Sequence, residues 1–245
     1  MSATGRTPGL RESNPDDFFA TPAWATAAIL PYVLRGKPGT ILDPCCGDGA
    51  ILAVCQAAGY GIAGIEINAA RALTAGERLG RGVALTAADA LDVNGAASWI
   101  GAALVTNPPY RLAQEFVEAY LAWAKGTERV GAFLLRLNWL ASQKRAAFHR
   151  AHPADIYVLP KRPSFTGDGS TDATEYAWYI YGPRRGGRWE ILSLPEPASA
   201  APAIEAPKGR KPRQSERIEH DRDRLPPRNL PRAPRGRKPS RKLAP

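Results

Sequence analysis

Apolar positions recur at helical spacing over residues 22–35, 49–58, 68–79, 111–124 and 139–150, and short unbroken apolar runs stand at 39–43, 62–66, 82–86, 101–106 and 130–136. Periodic segments of that length bury one stripe of a helix, whereas short apolar runs suit strands covered on both faces. Their alternation predicts βαβ units, hence an α/β fold with a mostly parallel central sheet and helices on both faces. Gly59-Tyr60-Gly61 closes the second helix. Three later runs, at 156–159, 176–181 and 189–192, read as closing strands that include an antiparallel pair. No internal repeat is apparent. From about Leu194 the periodicity stops and Pro, Ala, Arg and Lys dominate, a composition that buries too little apolar surface to fold. The expected organisation is a flexible N-terminus over 1–15, one folded domain over 16–193 and a disordered basic tail over 194–245.

Charge sharpens that division. The formal net charge is +10, and residues 208–245, with 14 Lys or Arg against 4 Asp or Glu, carry all of it. The remainder is neutral overall. The tail is either a solubilising segment or, as we favour, an arm that neutralises phosphates without reading bases. At 245 residues the chain suits one full α/β domain and leaves no room for a large separate recognition domain. It has no run of 18 apolar residues, and Met1-Ser2-Ala3-Thr4-Gly5-Arg6 lacks a signal-peptide core, so a soluble, cytoplasmic protein without membrane contact is expected. Cys45, Cys46 and Cys55 are odd in number, and with His149, His152 and His220 they show no metal-site spacing, so neither disulfides nor a metal are expected.

Two segments carry candidate chemistry. Asn107-Pro108-Pro109-Tyr110 follows the apolar run at 102–106. Adjacent prolines fix φ near −65° and remove two N–H donors, so such a turn presents acceptors in a rigid frame. An exocyclic amino group on a nucleobase is a poor nucleophile because its lone pair is delocalised into the ring, and acceptors on its N–H bonds localise that pair. The Asn107 side-chain oxygen and the Pro108 carbonyl are suitable acceptors, and Tyr110 offers a ring face for a planar substrate. Taken alone, the tetrapeptide is equally an ordinary strand-ending turn.

Upstream, Thr40-Ile41-Leu42-Asp43 runs into Pro44-Cys45-Cys46-Gly47-Asp48-Gly49 and then into residues that suit a helix. Gly47 and Gly49 allow a sharp bend and close approach to a ligand, and the helix start presents free N–H groups. Glu66 ends the next strand 23 positions after Asp43, near where an acid meets ribose hydroxyls, and Asp89 follows a third strand. An adenosine-bearing ligand fits. No Gly-Lys-Ser or Gly-Lys-Thr follows, and the two loop aspartates suit a cationic ligand such as a sulfonium better than a pyrophosphate.

These segments resemble the class I S-adenosylmethionine-dependent amino-methyltransferases, specifically N6-adenine DNA methyltransferases of phage-like or orphan type with an Asn-Pro-Pro-Tyr or Asp-Pro-Pro-Tyr motif, over roughly residues 16–182. The resemblance implies a Rossmann-like fold with S-adenosylmethionine as cofactor. It implies that the loop with Asp43, Pro44, Cys45, Gly47 and Gly49 holds the methionine part. Glu66 is implied to hold the ribose, Ile67 to pack on the adenine ring and Asp89 to bind its amino group. Phe19-Ala20-Thr21-Pro22 is similar to the family's additional cofactor motif, with Phe19 and Thr21 as contacts; Thr21 also suits the N-cap of a helix beginning at Pro22. Asn107, Pro108, Pro109 and Tyr110 become the catalytic set, with Asn107 also touching the cofactor. Pro44-Cys45 resembles the nucleophile pair of cytosine-C5 methyltransferases, but that pair follows the fourth strand, where Asn107–Tyr110 stands here, so Cys45 is expected to pack the loop.

A glycine-rich loop at about 160–175 is long enough to meet a target. In the resembled family an aromatic residue from this region stacks on the extruded adenine; Phe165 is the candidate alongside Tyr110, or else a hydrophobic anchor. Arg162 contacts phosphate or pairs with an acidic neighbour. The implied partner is double-stranded DNA, with the protein a monomer or weak dimer. Rival readings keep the chemistry on RNA (adenine N6 or guanine N2) or on a release-factor glutamine, or make the chain an inactive nucleic-acid-binding protein.

Overall fold

The computed structural model describes residues 18–80, 83–92, 99–166, 169–171, 173–183 and 185–194. The expected flexible N-terminus at 1–15 and the basic tail beyond 194 lie outside the described residues, as do Gly167, Asp168 and Asp172 of the glycine-rich loop. The ordered elements are α1 (Ala23–Val33), β1 (Thr40–Asp43), α2 (Ala50–Ala57), β2 (Gly61–Glu66), α3 (Ala69–Leu79), β3 (Ala84–Ala87) and β4 (Ala103–Thr106). They continue with α4 (Ala113–Ala124), β5 (Val130–Arg136), α5 (Ala146–Ala151), β6 (Asp155–Val158), β7 (Tyr176–Tyr181) and β8 (Trp189–Ile191).

The eight strands form one sheet in the order β3-β2-β1-β4-β5-β7-β6-β8. β3, β2, β1, β4 and β5 pair in parallel, so their carboxyl ends share one edge. β7 is the reversed strand: it pairs antiparallel with both β5 and β6, and β8 then pairs parallel with β6. Burial explains the central positions. Every residue of β4 and of β7 is buried, which demands cover on both faces. One core layer gathers Ile29, Val33, Ile41, Val105, Leu134 and Trp178 beneath α1 and α2. The other gathers Leu42, Leu104, Phe116, Tyr120, Phe133 and Tyr179 beneath α4. Trp178 is fixed across the first layer by donating to the Ala25 carbonyl at 2.9 Å.

Local chemistry departs from the periodicity in two places. The helix expected over 139–150 begins at Ala146; before it stands a 3₁₀ turn, Leu137–Trp139. The Trp139 carbonyl accepts from the Arg145 Nε (3.0 Å) and sits 3.0 Å from a His149 ring nitrogen, so side chains take the place of an i+4 amide. The helix expected from Pro22 begins at Ala23 with Pro22 at the N-cap position, and no side chain caps it. Thr21 is therefore not the cap: its hydroxyl accepts from Asn107 instead, 86 positions along the chain.

No helix among the described residues is long and apolar enough to cross a membrane. Those residues hold no metal-ligating group of three or more His, Cys, Asp or Glu.

Candidate active site

The carboxyl ends of β1, β2, β3 and β4 open onto a cleft. It is lined by Phe19, Thr21, Asp43, Pro44, Cys45, Glu66, Ile67, Asp89, Asn107 and Pro109, among others. The strand order places these ends side by side, because β1, which carries Asp43, lies between β2 and β4. Gly47, Gly49, Pro108, Tyr110 and Phe165 stand outside the lining.

The turn after β1 is built around carboxylates. Asp43 is buried, and its Oδ1 accepts from the Cys45 N–H (3.0 Å) and the Thr106 hydroxyl (2.7 Å). Both bonds fall on one oxygen, which leaves Oδ2 without a partner among the described residues. Burial pushes the Asp43 carboxyl up to about 7, despite those two donors, and the nearby Glu66 charge adds to the rise. Gly47 donates to Glu66 Oε2 at 2.9 Å and holds φ at +55°; a Cβ there would clash with the Phe18 ring. Gly49 takes φ +82° at the N-cap of α2, where only glycine sits without strain. Asp48, the second loop aspartate, caps the Ala50 N–H (3.2 Å) and pairs with Arg78 (2.9 Å), so its charge is spent inside the loop.

Glu66 is held from both sides. Its Oε1 accepts from the Asn68 N–H (2.9 Å) and from Arg71 Nε (3.0 Å), and the Arg71 guanidinium lies 4.9 Å from the centre of the Phe18 ring. Asn68 caps α3 through the Ala70 and Arg71 amides. Arg71 and Phe18 also line the cleft and were not anticipated. The available signal was Asn68: a capped helix starting just after a strand-end acid turns its first-turn residue 71 back over Glu66. Asp89 accepts from the Leu91 N–H (2.9 Å) in the turn after β3. Ile67 is 67% exposed, an unusual position for isoleucine and a flat apolar surface at the cleft. Arg111, Leu112 and Phe116 form a further wall that sequence reasoning missed.

The Asn107 carboxamide joins this cleft to the proline turn. Its Nδ2 donates to the Phe19 carbonyl (3.2 Å) and to Thr21 Oγ1 (3.1 Å), and its Oδ1 accepts from the Tyr110 hydroxyl (2.6 Å). Three partners thereby fix which way the amide points. Tyr110 stands in an aromatic cluster beside the cleft, its ring centre 6.0 Å from Tyr176, with Phe165 5.2 Å from Tyr176 and 5.6 Å from Phe19. Arg162 pairs with Glu175, both exposed. Burial pushes the Cys45 thiol up, the opposite of what a nucleophilic thiolate needs, consistent with a loop-packing cysteine.

The cleft suits a ligand with a positive centre and hydroxyl groups. Glu66 and Asp48 have arginine partners, whereas Asp43 and Asp89 have none among the described residues. A buried carboxyl raised towards neutrality for want of a counter-charge is stabilised by a cation beside it.

No protein-family profile matches the chain, and no curated protein does. The fold itself has known counterparts. A candidate class I S-adenosylmethionine-dependent methyltransferase from Listeria monocytogenes superposes with a TM-score of 0.56 at 16% identity, covering 77% of this chain and 71% of that one. A candidate RNA methyltransferase from Pyrococcus horikoshii gives 0.52 at 12% identity, with 71% and 91% covered. At these identities the likeness establishes the fold: a Rossmann-like class I methyltransferase architecture, as expected.

Proposed function

We propose that the protein is an S-adenosylmethionine-dependent methyltransferase that methylates the exocyclic N6 amino group of adenine in DNA. One observation carries the reading: Asn107, at the tip of β4, ties the Pro108-Pro109-Tyr110 turn to Phe19 and Thr21 on the wall of a cleft that also holds the Asp43, Glu66 and Asp89 carboxylates. The loop from Asp43 to Gly49 would hold the amino-acid end of the cofactor. Glu66, Ile67 and Asp89 would hold its nucleoside end, and Phe19 and Thr21 would close over it. Bound there, S-adenosylmethionine would supply an electrophilic methyl group.

Asn107 Oδ1 has two lone pairs, and the Tyr110 hydroxyl uses one. The other accepts from an incoming amino group, with the Pro108 carbonyl as the second acceptor. Two acceptors draw the nitrogen lone pair out of ring conjugation and aim it in line for transfer. Transfer would break the S–CH3 bond and leave S-adenosylhomocysteine, and the N–H proton, acidic only once the N–C bond forms, would pass to solvent, so the turn needs no strong base. Phe165 and Tyr110, from the neighbouring aromatic cluster, would stack on the target base, which has left its duplex. The tail beyond residue 194 would act as a sequence-independent arm on phosphates, which favours a nucleic acid. Asn107→Ala tests the assignment: turnover should fall by about two to three orders of magnitude, as for loss of a transition-state contact. Unchanged turnover refutes it.

A further inference from the structure

Five arginines among the described residues are at least partly buried: Arg71, Arg129, Arg136, Arg145 and Arg185. Four have acceptors within the fold. Arg71 donates to Glu66, and Arg129 to the Gly101 and Trp123 carbonyls. Arg145 donates to the Trp139 and Asn138 carbonyls, and Arg185 to Asp155 and the Tyr32 carbonyl. Arg136 has none. Its Nε is buried without an acceptor, and no carboxylate among the described residues pairs with its guanidinium.

Its position is specific. Arg136 is the last residue of β5, the strand beside β4, and therefore stands at the same sheet edge as the Asn107–Tyr110 turn. Its Cζ lies 5.6 Å from the centre of the Tyr110 ring, and it sits opposite Tyr176 in the β5–β7 register. A ring face offsets part of the charge but takes no N–H bond. A partly dehydrated guanidinium with an unused donor is a costly arrangement for a fold to keep unless a ligand completes it. Its planar fork matches an oxyanion held through two oxygens.

We propose that Arg136 binds the phosphodiester of the target nucleotide or its immediate neighbour, anchoring the strand while the base enters between the aromatic rings beside Asn107. This rests on the proposed nucleic-acid substrate. Arg136 thereby becomes a specificity-determining residue: it admits a polyanionic strand and gives no advantage to a neutral glutamine side chain. The surrounding charge agrees, since Glu175, the nearby exposed acid of that loop, is already paired with Arg162.

The test uses the full chain with S-adenosylhomocysteine and a fluorescent duplex of about 20 base pairs, read by anisotropy across a salt series. Arg136→Gln should weaken binding about 10- to 100-fold, the loss expected for one charge-assisted contact. It should also lower the slope of log affinity against log salt by about 1, because one fewer counter-ion is released. Arg136→Lys should keep the slope and still lose affinity, because the charge stays while the fork is lost. S-adenosylhomocysteine affinity of both variants should match the parent, and neither variant should unfold at a lower temperature. An unchanged salt slope in Arg136→Gln overturns the proposal, and so does a wild-type chain that binds no nucleic acid. If Arg136→Gln does not fold, Arg136→Lys with undiminished affinity overturns it. A lowered slope together with no methyl transfer to nucleic acid would leave the anchor standing and refute the methylation reading. Transfer to DNA with an unchanged slope does the reverse.

Discussion

Replacing Asp43 by Asn should make the unliganded protein more stable above pH 7 while weakening its cofactor site. Burial pushes the Asp43 carboxyl from an ordinary 3.8 to about 7. The folded chain therefore keeps this proton up to about pH 7, whereas the unfolded chain releases it near pH 4. Between those values the unfolded state binds fewer protons, so stability falls as pH rises, and the full penalty stands above about pH 7. The gap corresponds to about 4 kcal/mol. Asparagine escapes that penalty and keeps both existing hydrogen bonds, because Cys45 and Thr106 donate to the same oxygen. For a folded region of this size the gain amounts to about 8 to 16 °C in Tm at pH 8. The assay is thermal unfolding of both proteins from pH 4 to pH 8, with S-adenosylmethionine affinity measured in parallel. The two Tm values should converge towards pH 4, and the variant should bind the cofactor at least about tenfold more weakly, having lost its unpartnered charge. A Tm difference that is constant across pH, or a variant less stable than the parent at pH 8, would refute the reasoning.

Asn107→Asp keeps the acceptor but turns a carboxylate oxygen towards the Phe19 carbonyl, so cofactor affinity should fall about tenfold or more while turnover at saturation stays well above that of Asn107→Ala; calorimetry and single-turnover rates separate the two. Gly47→Ala forces a Cβ into Phe18 at a left-handed φ and should cost about 2 to 4 kcal/mol in denaturant unfolding, with weaker cofactor binding as Phe18 leaves the cleft wall. Asp155→Ala is the structural counterpart: it strands the nearly buried Arg185 and frees the Gly186 and Arg188 amides, so stability should drop by about 3 kcal/mol with cofactor affinity unchanged.

Much of this arrangement was legible beforehand, for identifiable reasons. Strands β1 and β2 announce themselves because a doubly covered parallel strand is mostly apolar, and the acids that end them, Asp43 and Glu66, are conspicuous against that background. Gly47 and Gly49 could be read as a sharp turn, and both adopt positive φ. What could not be read were bonds between distant segments. Thr21 looks like a helix cap by local rules, yet the fold spends its hydroxyl on Asn107. The segment from Trp139 to Arg145 has helical spacing, but the Trp139 carbonyl is taken by the side chain of Arg145. The antiparallel pairing expected among the closing strands is present, whereas the place of β7 between β5 and β6 is set by tertiary packing that no residue of Tyr176–Tyr181 encodes alone. Arg136 was invisible as a candidate because only the finished packing reveals which arginines lack acceptors.

The most direct measurement is transfer of labelled methyl from S-adenosylmethionine to duplex DNA, structured RNA and a release factor in parallel, followed by mass spectrometry of the digested products. The account predicts N6-methyladenine in DNA, lost in Asn107→Ala. Label appearing instead on glutamine or on an RNA base would contradict the substrate, and no transfer from a chain that binds the cofactor would contradict the methyltransferase reading itself.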